Sequence, residues 1–487
     1  MDHSVAPVLD ALAAYRRRDE FPFPPPGHKQ GRGADPRVLA VLGEAVFRSD
    51  VLAIAGLDDR RSTGGLLQKA EQLMADAVGA QHTFFTTCGS SLSVKTAMLA
   101  VAGPDEELLV SRDAHKSVAA GLILAGIRPV WVEPAWDPHL RLAHPPSAEA
   151  FRDMLDAHPG ARGALVTSPT PYGTCAGLAG ITEVCHGRGV PLIVDEAWGA
   201  HLPFHEDLPA WAMDTGADVC VTSVHKMGSG IEQSSVFHLQ GNLIEPEVLQ
   251  ARADLLGTTS PSVLIYAALD GWRRQMVEHG HSLLVDALRL ARQTRAEIQR
   301  IDGMHVHGEA EFCGPGRASE LDPLQLVIDI SGLGLDGYHT ADWLREQHHI
   351  DLHVSDHRRM SAQLSYGDTE QAAARLCAAL TDLASHAGEL PPAAKVEVPG
   401  PEELRLELVH TPREAFFGRA EQVPAGQAAG RVAAEMLTPY PPGIPVAMPG
   451  ERLTGPVLVY LRSGIQAGMV IPDAADPSLD SVRVMIE

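Results

Sequence analysis

The sequence predicts an α/β protein with a mainly parallel, doubly wound sheet. Between residues 35 and 275, short β-branched runs alternate with Ala-rich stretches of helical character, an order that is typical of βαβ units. Two of these runs end near charged residues, Asp195 and Lys226. Because ligands bind beyond the carboxyl ends of the strands in such sheets, we expect a site at this edge.

The predicted elements of this region follow one another in chain order. A helix at 8–15 and a proline-rich, extended entry at 21–26 precede the sheet, since proline fixes φ and removes a backbone donor. Strands are predicted at 83–86, 108–110, 130–132, 164–167, 192–194 and 219–222, and helices at 94–101, 118–124 and 148–155.

The remaining chain is predicted to form two smaller units. A long helix at 263–301 leads out of the first region, and a strand at 326–330 with a helix at 370–385 marks a small α/β unit. Strands at 457–460 and 482–486 mark a last, α+β unit. At this length several domains are expected. The predicted parts are an N-terminal arm (1–34), a large domain (35–280), a small α/β domain (281–390) and a C-terminal domain (391–487).

Composition and charge exclude several classes of function. The chain has 487 residues and a net charge of −23, from 62 acidic residues against 39 Lys plus Arg. Phosphate binding needs a basic face, so nucleic acid is not expected as a partner, whereas a small cationic substrate is compatible with the charge. The six cysteines form no C-x-x-C pair and are typical of reduced thiols. No metal site, signal peptide or membrane span is predicted, so we expect a soluble, cytoplasmic protein.

Lys226 and Asp195 are the first candidates for chemistry. They follow the apolar, strand-like runs Leu-Ile-Val-Asp and Val-Cys-Val-Thr-Ser-Val-His-Lys. A lysine that forms a Schiff base and an acid that holds a pyridinium proton are what pyridoxal 5'-phosphate (PLP) requires of a protein. An isolated lysine at a strand end is more often a solvated charge, but Ser223 and His225 accompany this one. The group therefore predicts a PLP enzyme.

A second candidate site is the hydroxyl-rich turn that contains Ser90 and Ser91. It follows a predicted strand and precedes a helix, so backbone N–H groups, the helix dipole and hydroxyl donors converge there on a phosphate. The same serines are equally good helix caps; with Lys226 present the two interpretations merge, because capping hydroxyls can also bind the phosphate. His115 also follows a strand-like run, and its flat imidazole suits stacking on a pyridine ring.

Taken together, these segments resemble the prokaryotic ornithine/lysine/arginine decarboxylases of the aspartate-aminotransferase fold, from about residue 21 to residue 487. The run Pro-Tyr-Pro-Pro-Gly-Ile-Pro at 439–445, followed by Pro-Gly-Glu at 449–451, is the most family-specific match. Other matching segments are Pro-Gly-His-Lys at 26–29, Gly-Leu-Asp-Asp at 56–59, Asp-Ala-His-Lys-Ser at 113–117, Ser-Pro-Thr-Pro-Tyr-Gly at 168–173 and Thr-Thr-Ser-Pro-Ser at 258–262.

The resemblance implies a large domain of the PLP-dependent transferase fold and a role for each matching residue. Lys226 is implied as the Schiff-base lysine, Asp195 as the partner of the pyridinium nitrogen, and His115 as the ring-stacking residue. The other implied cofactor contacts are Ser223, His225, Ser90 and Ser91 at the phosphate, Trp198 at the ring edge, and Thr259 or Ser260 at the phosphate of a neighbouring subunit. The last role implies a homodimer or small homo-oligomer with the active site at the subunit interface.

Two segments depart from the family pattern. Residues 88–91 read Cys-Gly-Ser-Ser where the family usually has Asn-Gly-Thr-Ser/Thr, and residues 59–62 lack the usual Leu-His after the acids. Cofactor binding is expected despite these changes, while the identity of the substrate stays open. The chain also lacks the additional N-terminal domain with which large members build higher assemblies, so a decamer-type ring is not expected.

The predicted reaction is decarboxylation of lysine, ornithine or arginine to CO2 and the corresponding di- or polyamine, with Lys226 or His225 returning a proton to Cα. A distal cation needs an acid in the pocket, because a buried unpaired charge is very costly. Glu451 of the Pro-Gly-Glu segment is either that acid or an exposed surface acid.

One alternative stays open, and the sequence argues against two others. The nearest is another PLP reaction on the same scaffold, transamination or oxygen-dependent oxidative decarboxylation; an aminotransferase would clamp the substrate carboxylate with Arg358 or Arg359, unless these are surface charges. A PLP-binding regulatory protein is disfavoured because both Lys226 and Asp195 are present. A nicotinamide-dependent enzyme requires Gly-x-Gly-x-x-Gly between the first strand and helix, which the sequence lacks in that context.

Overall fold

The structure, a computed structural model, describes residues 1–18, 20–52, 65–440 and 442–486. The Gly-Leu-Asp-Asp segment at 56–59 and the departing residues up to 62 lie outside the described residues, as does position 441 of the C-terminal run. The chain divides into two compact units, the first made of Met1–Ala100 and Ile193–Leu283 and the second of Val101–Leu192 and Leu284–Glu487. The four-part division drawn from the sequence stays a prediction.

The helices alternate with strands along most of the chain. They are α1 (Pro7–Arg17), α2 (Pro36–Leu42), α3 (Glu44–Ser49), α4 (Leu66–Val78), α5 (Gly89–Val101), α6 (Lys116–Ala125), α7 (Ala148–Ala157), α8 (Leu178–His186), α9 (Val224–Met227), α10 (Pro246–Leu256), α11 (Val263–Ile298), α12 (Glu309–Phe312), α13 (Gly337–His348), α14 (Glu370–His386), α15 (Pro401–Leu404), α16 (Pro412–Phe417) and α17 (Gly455–Gln466).

The strands are mostly short. They are β1 (His82–Thr86), β2 (Glu107–Ser111), β3 (Arg128–Val132), β4 (Ala135–Asp137), β5 (Leu142–His144), β6 (Ala164–Thr167), β7 (Thr174–Cys175), β8 (Leu192–Asp195), β9 (Val219–Ser223), β10 (Ser235–Leu239), β11 (His305–His307), β12 (Glu320–Leu321), β13 (Gln325–Asp329), β14 (Val354–Ser355), β15 (Arg359–Gln363), β16 (Ala420–Pro424) and β17 (Ser481–Met485).

The large sheet has the strand order β1-β10-β9-β8-β6-β2-β3. β2 is parallel to β3 and to β6, and β8 is parallel to β9, whereas β10 runs antiparallel to both of its neighbours. Helices separate most of these strands in the chain. The predicted fold class, an α/β protein with a mainly parallel sheet, is therefore confirmed.

Burial explains why these segments form strands. β6, β8 and β9 are buried at every residue, and parallel strands covered on both faces are continuous apolar runs rather than alternating ones. All six strands predicted for the first region are present, each within two residues of its predicted bounds.

The predicted strand at 457–460 is wrong, because these residues lie inside α17. Pro456 stands in the first turn of that helix, where its missing N–H has no helical partner to lose. The buried side chains recur at intervals of three and four residues, which marks one face of a helix. They are Val457, Leu458, Leu461 and Gly464. A window of four apolar residues is too short to show this period.

The second unit contains smaller sheets as well. β13, in the order β11-β13-β15-β14, is the strand predicted at 326–330, and α14 is the helix predicted at 370–385. In the C-terminal part, β16 pairs antiparallel with β17, the strand predicted at 482–486. Leu437, Leu461 and Val482 belong to the buried cluster beneath these elements. This part is thus α+β, as predicted.

The N-terminal helix α1 is anchored on α11 through buried charges. Asp270 accepts the backbone N–H of Val8 at 2.8 Å, in the first turn of α1, where no helical acceptor exists. Arg273 donates to the carbonyl oxygens of His3 and Val5 at 2.8 and 2.6 Å. The same guanidinium pairs with Asp270 at 2.9 Å, and both side chains are fully buried. No helix in the described part of the chain, α11 included, is long and apolar enough to cross a membrane.

We expect Asp270→Ala to destabilise the protein, because it leaves the buried Arg273 guanidinium without its counter-charge. Removing one partner of a buried ion pair costs about 3–5 kcal/mol. Urea unfolding followed by circular dichroism measures the change. Asp286→Ala on the same helix is the control, since that side chain is 75% exposed and surface substitutions stay within about 0.5 kcal/mol. Equal unfolding midpoints for the two variants would contradict the anchoring role.

Candidate active site

Asp195 and Lys226 follow two neighbouring parallel strands. Asp195 is the last residue of β8 and is in register with Val221 of β9. β9 ends at Ser223, and the single helical turn α9 then carries Lys226. Parallel neighbours run in the same direction and end at the same edge of a sheet. The acid and the lysine therefore share one edge, as the sequence predicts.

The Lys226 ammonium lies beside an indole ring and a buried carboxylate. Its Nζ is 4.0 Å from the centroid of the Trp198 ring, which is a cation–π geometry. Burial lowers the pKa of Lys226 to about 8, and the negative charge of Asp195 opposes this shift. Burial raises the pKa of Asp195, and the Lys226 charge opposes that shift in turn. A lysine in this state supplies more of the unprotonated amine that a nucleophile needs.

His225 has a defined hydrogen bond on one ring nitrogen. Its Nδ1 lies 3.0 Å from the carbonyl oxygen of Ser234, and because a carbonyl only accepts, Nδ1 carries the proton and donates. In the neutral ring Nε2 then has the lone pair and can take up a proton. His225 is thus suited to proton transfer at Nε2, and it immediately precedes Lys226 in the chain.

A row of hydroxyl residues crosses the sheet beside this pair. Thr86 at the end of β1 is in register with Ser235 of β10, which is in register with Ser223 of β9. Adjacent strands lie about 4.8 Å apart, so Thr86 and Ser223 are about 10 Å apart. The Ser223 hydroxyl is fully buried and has no hydrogen-bond partner among the described residues. A buried hydroxyl without a partner is destabilising, so this one marks a position that fits a ligand oxygen.

Ser90 and Ser91 lie in the first turn of α5, directly after this row. The N–H groups of a first turn have no helical acceptor. The loop before the turn is held by the Gly89 N–H, which donates to the carbonyl oxygen of Gln233 at 2.9 Å. Gly89 has a φ of +72°, which glycine adopts without strain. Ser90 is half-buried and Ser91 exposed, so the turn fits a phosphate as well as a helix cap.

Thr259 and Ser260 are exposed in the loop before α11. The hydroxyl of Ser260 lies 3.3 Å from that of Thr258. Thr258 also lines a cavity of about 60 Å³ together with Thr87 and Cys88, which precede α5. Thr259 and Ser260 are thus accessible in the single chain, and the neighbouring Thr258 lies beside the start of α5.

In the second unit, His115 is the N-cap of α6. Its Nδ1 accepts the N–H of Ser117 at 3.2 Å, so the proton of the neutral ring is on Nε2. The N–H of Lys116 donates to the carbonyl oxygen of Gly443 at 2.9 Å. A Cβ at Gly443 would lie only 3.1 Å from Cδ2 and Nε2 of the His115 ring, and Gly443 has a φ of +91°. The close approach to the ring and the positive φ both explain why residue 443 is a glycine.

Glu451 is fully buried, so its interpretation as an exposed surface acid is wrong. Its Oε2 accepts from Arg112 Nη2 at 3.2 Å and from the Met448 N–H at 2.8 Å. Burial raises the pKa of Glu451, and the charge of Arg112 opposes this shift. The carboxylate already has a cationic partner, which weakens its assignment to the distal cation of a substrate.

Arg358 and Arg359 also have carboxylate partners. Arg358 Nη2 lies 3.1 Å from Asp329 Oδ2, and Arg359 Nη1 lies 3.0 Å from Asp356 Oδ2. The same Asp356 oxygen accepts from the hydroxyl of Tyr172 at 3.1 Å. Arg359 is only 1% exposed, so its interpretation as a surface charge is wrong.

Sequence reasoning missed two residues of these surroundings. Arg112 directly precedes the Asp-Ala-His segment. This adjacency to a family-matching segment could have identified it from the sequence. Glu196 follows Asp195, is fully buried, and accepts from the thiol of Cys220 at 3.0 Å. Burial raises the pKa of Glu196 well above its usual range, which favours its neutral form. The Asp-Glu pair at the strand end is its signal in the sequence.

We expect Lys226 to titrate near pH 8 in the cofactor-free protein, because burial disfavours its charged form. Its acylation, measured by mass spectrometry of the peptide that carries it, should rise through that pH. In Asp195→Asn the midpoint should fall further, since the charge that favours the ammonium is gone. Lys395, 81% exposed, is the internal reference. A midpoint that Asp195→Asn leaves unchanged would contradict the coupling between the two groups.

Comparison with known proteins classifies the chain. The model described as Orn/Lys/Arg decarboxylase, major domain, matches residues 6–371, and the one described as Orn/Lys/Arg decarboxylase, C-terminal domain, matches residues 401–473. An arginine decarboxylase from Halalkalibacterium halodurans is 38% identical over 99% of this chain and 98% of that relative. An arginine decarboxylase from Bacillus subtilis is 36% identical over 100% of this chain and 99% of that relative.

Solved structures agree in fold. The constitutive lysine decarboxylase of Escherichia coli superposes with a TM-score of 0.84 at 21% identity, over 100% of this chain and 82% of that one. The Francisella novicida lysine decarboxylase LdcF gives a TM-score of 0.81 at 20% identity, over 98% and 79% of the two chains. At these identities the likeness shows the fold alone. The family models and the full-length relatives carry the classification: the chain is an enzyme of the Orn/Lys/Arg decarboxylase family.

Proposed function

We propose that this enzyme decarboxylates L-arginine to agmatine and CO2 with PLP as its cofactor. The observation that carries the proposal is the grouping of Lys226, Trp198 and Asp195 at one sheet edge. The family supports a basic amino acid as the substrate. Arginine is favoured over lysine and ornithine because the relatives at 36–38% identity over the full chain are named arginine decarboxylases.

The donors and acceptors of the first unit fit the parts of PLP. Lys226 Nζ would bind the cofactor covalently, and Asp195 would face its ring nitrogen. The buried Ser223 hydroxyl, without a partner in the described chain, would donate to the phosphate, as would Ser90 and Ser91 in the first turn of α5. Hydrogen bonds to an ionised phosphate are about twice as strong as neutral ones.

Asp195 has the central electrostatic role in this proposal. Bound PLP supplies an electron-poor ring that accepts the electron pair released when the carboxylate leaves Cα as CO2. Asp195 keeps a proton on the ring nitrogen, which maintains that property. A buried carboxylate needs a cationic partner. In the cofactor-free chain Lys226 is that partner of Asp195. With PLP bound, the protonated ring nitrogen would take the place of the lysine ammonium.

We assign the return of a proton to Cα to Lys226 Nζ or His225 Nε2. The lysine has a pKa of about 8, which allows proton exchange near neutral pH. The bond from His225 Nδ1 to Ser234 leaves Nε2 as the atom that takes and releases a proton. The assignment of His115 to the face of the ring rests on the family resemblance, and its bond with Ser117 orients the imidazole.

We further propose a homodimer or small homo-oligomer that works in the cytoplasm. Thr259 and Ser260 are exposed in the single chain, and a residue that serves the phosphate of a neighbouring subunit has to be accessible before assembly. The absence of a suitable membrane-spanning helix from the described residues is compatible with this location.

Transamination and oxidative decarboxylation are the competing reactions on this scaffold. Transamination needs a guanidinium that is ready to bind the substrate carboxylate. Arg358 and Arg359 are each paired with an aspartate, so their charges are already compensated, which favours decarboxylation.

We expect agmatine as the product when the PLP-loaded protein is incubated with L-arginine. End-point mass spectrometry after separate incubations with arginine, lysine and ornithine measures agmatine, cadaverine and putrescine. Lys226→Ala is the control and should give no amine, because it removes the covalent partner of the cofactor.

Each other product would show which part of the proposal, the substrate or the reaction, is wrong. Cadaverine or putrescine in place of agmatine would correct the substrate only. A keto acid would mean transamination, and an aldehyde formed with CO2 and peroxide would mean oxidation. No product from any of the three amino acids would refute the proposed reaction.

Ser223→Ala is expected to weaken PLP binding about tenfold, because a hydrogen bond to a charged group contributes roughly 1.5–3 kcal/mol. The affinity for pyridoxal, which has no phosphate, should stay unchanged. Absorbance titration of the cofactor-free protein measures both affinities. Ser93→Ala is a matched buried control, since the Ser93 hydroxyl already pairs with Ser235 at 3.0 Å. Equal losses for PLP and pyridoxal would remove Ser223 from the phosphate site.

A further inference from the structure

Residues of the C-terminal segment at 443–451 pack on the turn that carries His115. This turn, residues 112–115, joins β2 to α6. Gly443 contacts the turn in two ways: its carbonyl oxygen accepts the Lys116 N–H, and a Cβ at this position would lie only 3.1 Å from the His115 ring. Lys116 Nζ also pairs with Asp473 at 3.0 Å and lies 5.3 Å from the centroid of the Tyr440 ring. The turn is therefore held from the C-terminal side on both flanks of His115.

Arg112 makes the most extensive of these contacts. Its Nη1 donates to the carbonyl oxygen of Pro445 at 2.7 Å, and its Nη2 donates to that of Val446 at 3.0 Å and to Glu451 Oε2 at 3.2 Å. The guanidinium lies 5.1 Å from the centroid of the Trp131 ring. Carbonyl oxygens do not cancel a full positive charge, so among the groups that this largely buried guanidinium contacts, Glu451 supplies the negative charge.

Glu451 is itself fixed in place. Its Oε2 accepts the Met448 N–H at 2.8 Å, and its backbone carbonyl accepts the Ala433 N–H at 2.8 Å. A Cβ on the preceding Gly450 would lie 2.2 Å from the carbonyl oxygen of His410, and Gly450 has a φ of +92°. The Pro-Gly-Glu segment thus needs its glycine to bring the carboxylate to Arg112.

We propose that Glu451 is a positioning residue that acts through Arg112 to hold the His115 turn, and that it does not bind the substrate. The inference rests on the proposed function, in which His115 faces the cofactor ring. It also explains what the C-terminal run contributes to the site, since the side chain that orients His115 lies more than 300 positions away in sequence. Loss of the carboxylate leaves a largely buried guanidinium without its counter-charge, and the turn moves to bring that charge closer to water.

The test is a double-mutant cycle on PLP affinity, measured by absorbance titration of the full-length protein. Glu451→Ala and His115→Ala should each weaken PLP binding about tenfold, and the double variant should be no weaker than either, because the two changes remove the same contact. Glu451→Gln, which keeps an acceptor for Arg112 and Met448 but not the negative charge, should recover only part of the loss. The circular dichroism of the bound cofactor should change alike in Glu451→Ala and His115→Ala.

Glu435→Gln is the matched control. Glu435 is another buried acid of the C-terminal part; its carboxylate oxygens accept the Ala475 N–H at 2.6 Å and the Arg483 N–H at 2.5 Å, so its hydrogen bonds go to neither the His115 turn nor Arg112. Its PLP affinity should equal that of the wild type, and thermal unfolding of each variant verifies that the chain is folded. If Glu451→Ala does not fold, Arg112→Met with His115→Ala forms the same cycle.

The possible outcomes distinguish a failure of the positioning role of Glu451 from a failure of the proposed PLP-dependent function. Losses for Glu451→Ala and His115→Ala that multiply in the double variant would overturn the positioning role, as would an equal loss in Glu435→Gln. A normal PLP affinity in Glu451→Ala with a raised KM for the amino acid would overturn the inference and indicate that Glu451 binds the substrate. A wild-type protein that binds no PLP would refute the proposed function itself.

Discussion

The pairing of β8 with β9 is the constraint on which the candidate site depends. Their parallel register brings Asp195 and the turn after Ser223 to one sheet edge, and every residue of both strands is buried. Burial disfavours the charged forms of the acid and of Lys226, while their mutual attraction favours those forms. The balance leaves a lysine with a pKa of about 8 beside an indole ring. If β8 and β9 were paired in another register, Asp195 and Lys226 would not lie together, and the two charges would not set this pKa.

The other candidate residues depend on two different kinds of support. Ser223, Ser90 and Ser91 are positioned by the sheet and by the start of α5, so local structure is sufficient for them. His115 depends on a distant part of the chain, because residues of the segment at 443–451 hold the turn before α6. On the proposed function, this difference explains why a C-terminal segment rich in proline and glycine accompanies a candidate site whose lysine lies in an earlier part of the chain.

Much of the fold was predictable because burial imposes a visible pattern. The strands β6, β8 and β9 are continuous apolar runs, which their burial on both faces requires, and their ends pointed to Asp195 and Lys226. The segment at 457–460 failed because four apolar residues do not distinguish a strand from one face of a helix; Pro456 before it was the better signal.

The burial of Glu451 could not be predicted, because it depends on a guanidinium from a remote part of the chain. The partners of Arg358 and Arg359 could not be predicted either. Asp329 reaches Arg358 because β13 pairs with β15, and Asp356 reaches Arg359 in the turn before β15. Motifs indicated which residues matter, whereas their charge states followed only from the tertiary contacts.

The most direct test of the account is to identify the residue that binds the cofactor. The protein is loaded with PLP, reduced with borohydride to make the covalent link permanent, and mapped by peptide mass spectrometry. The account predicts one modified lysine, Lys226, and no modification when Asp195→Asn and Ser223→Ala are combined at low PLP concentration. A cofactor attached to another lysine, or no attachment in the unaltered chain, would contradict it.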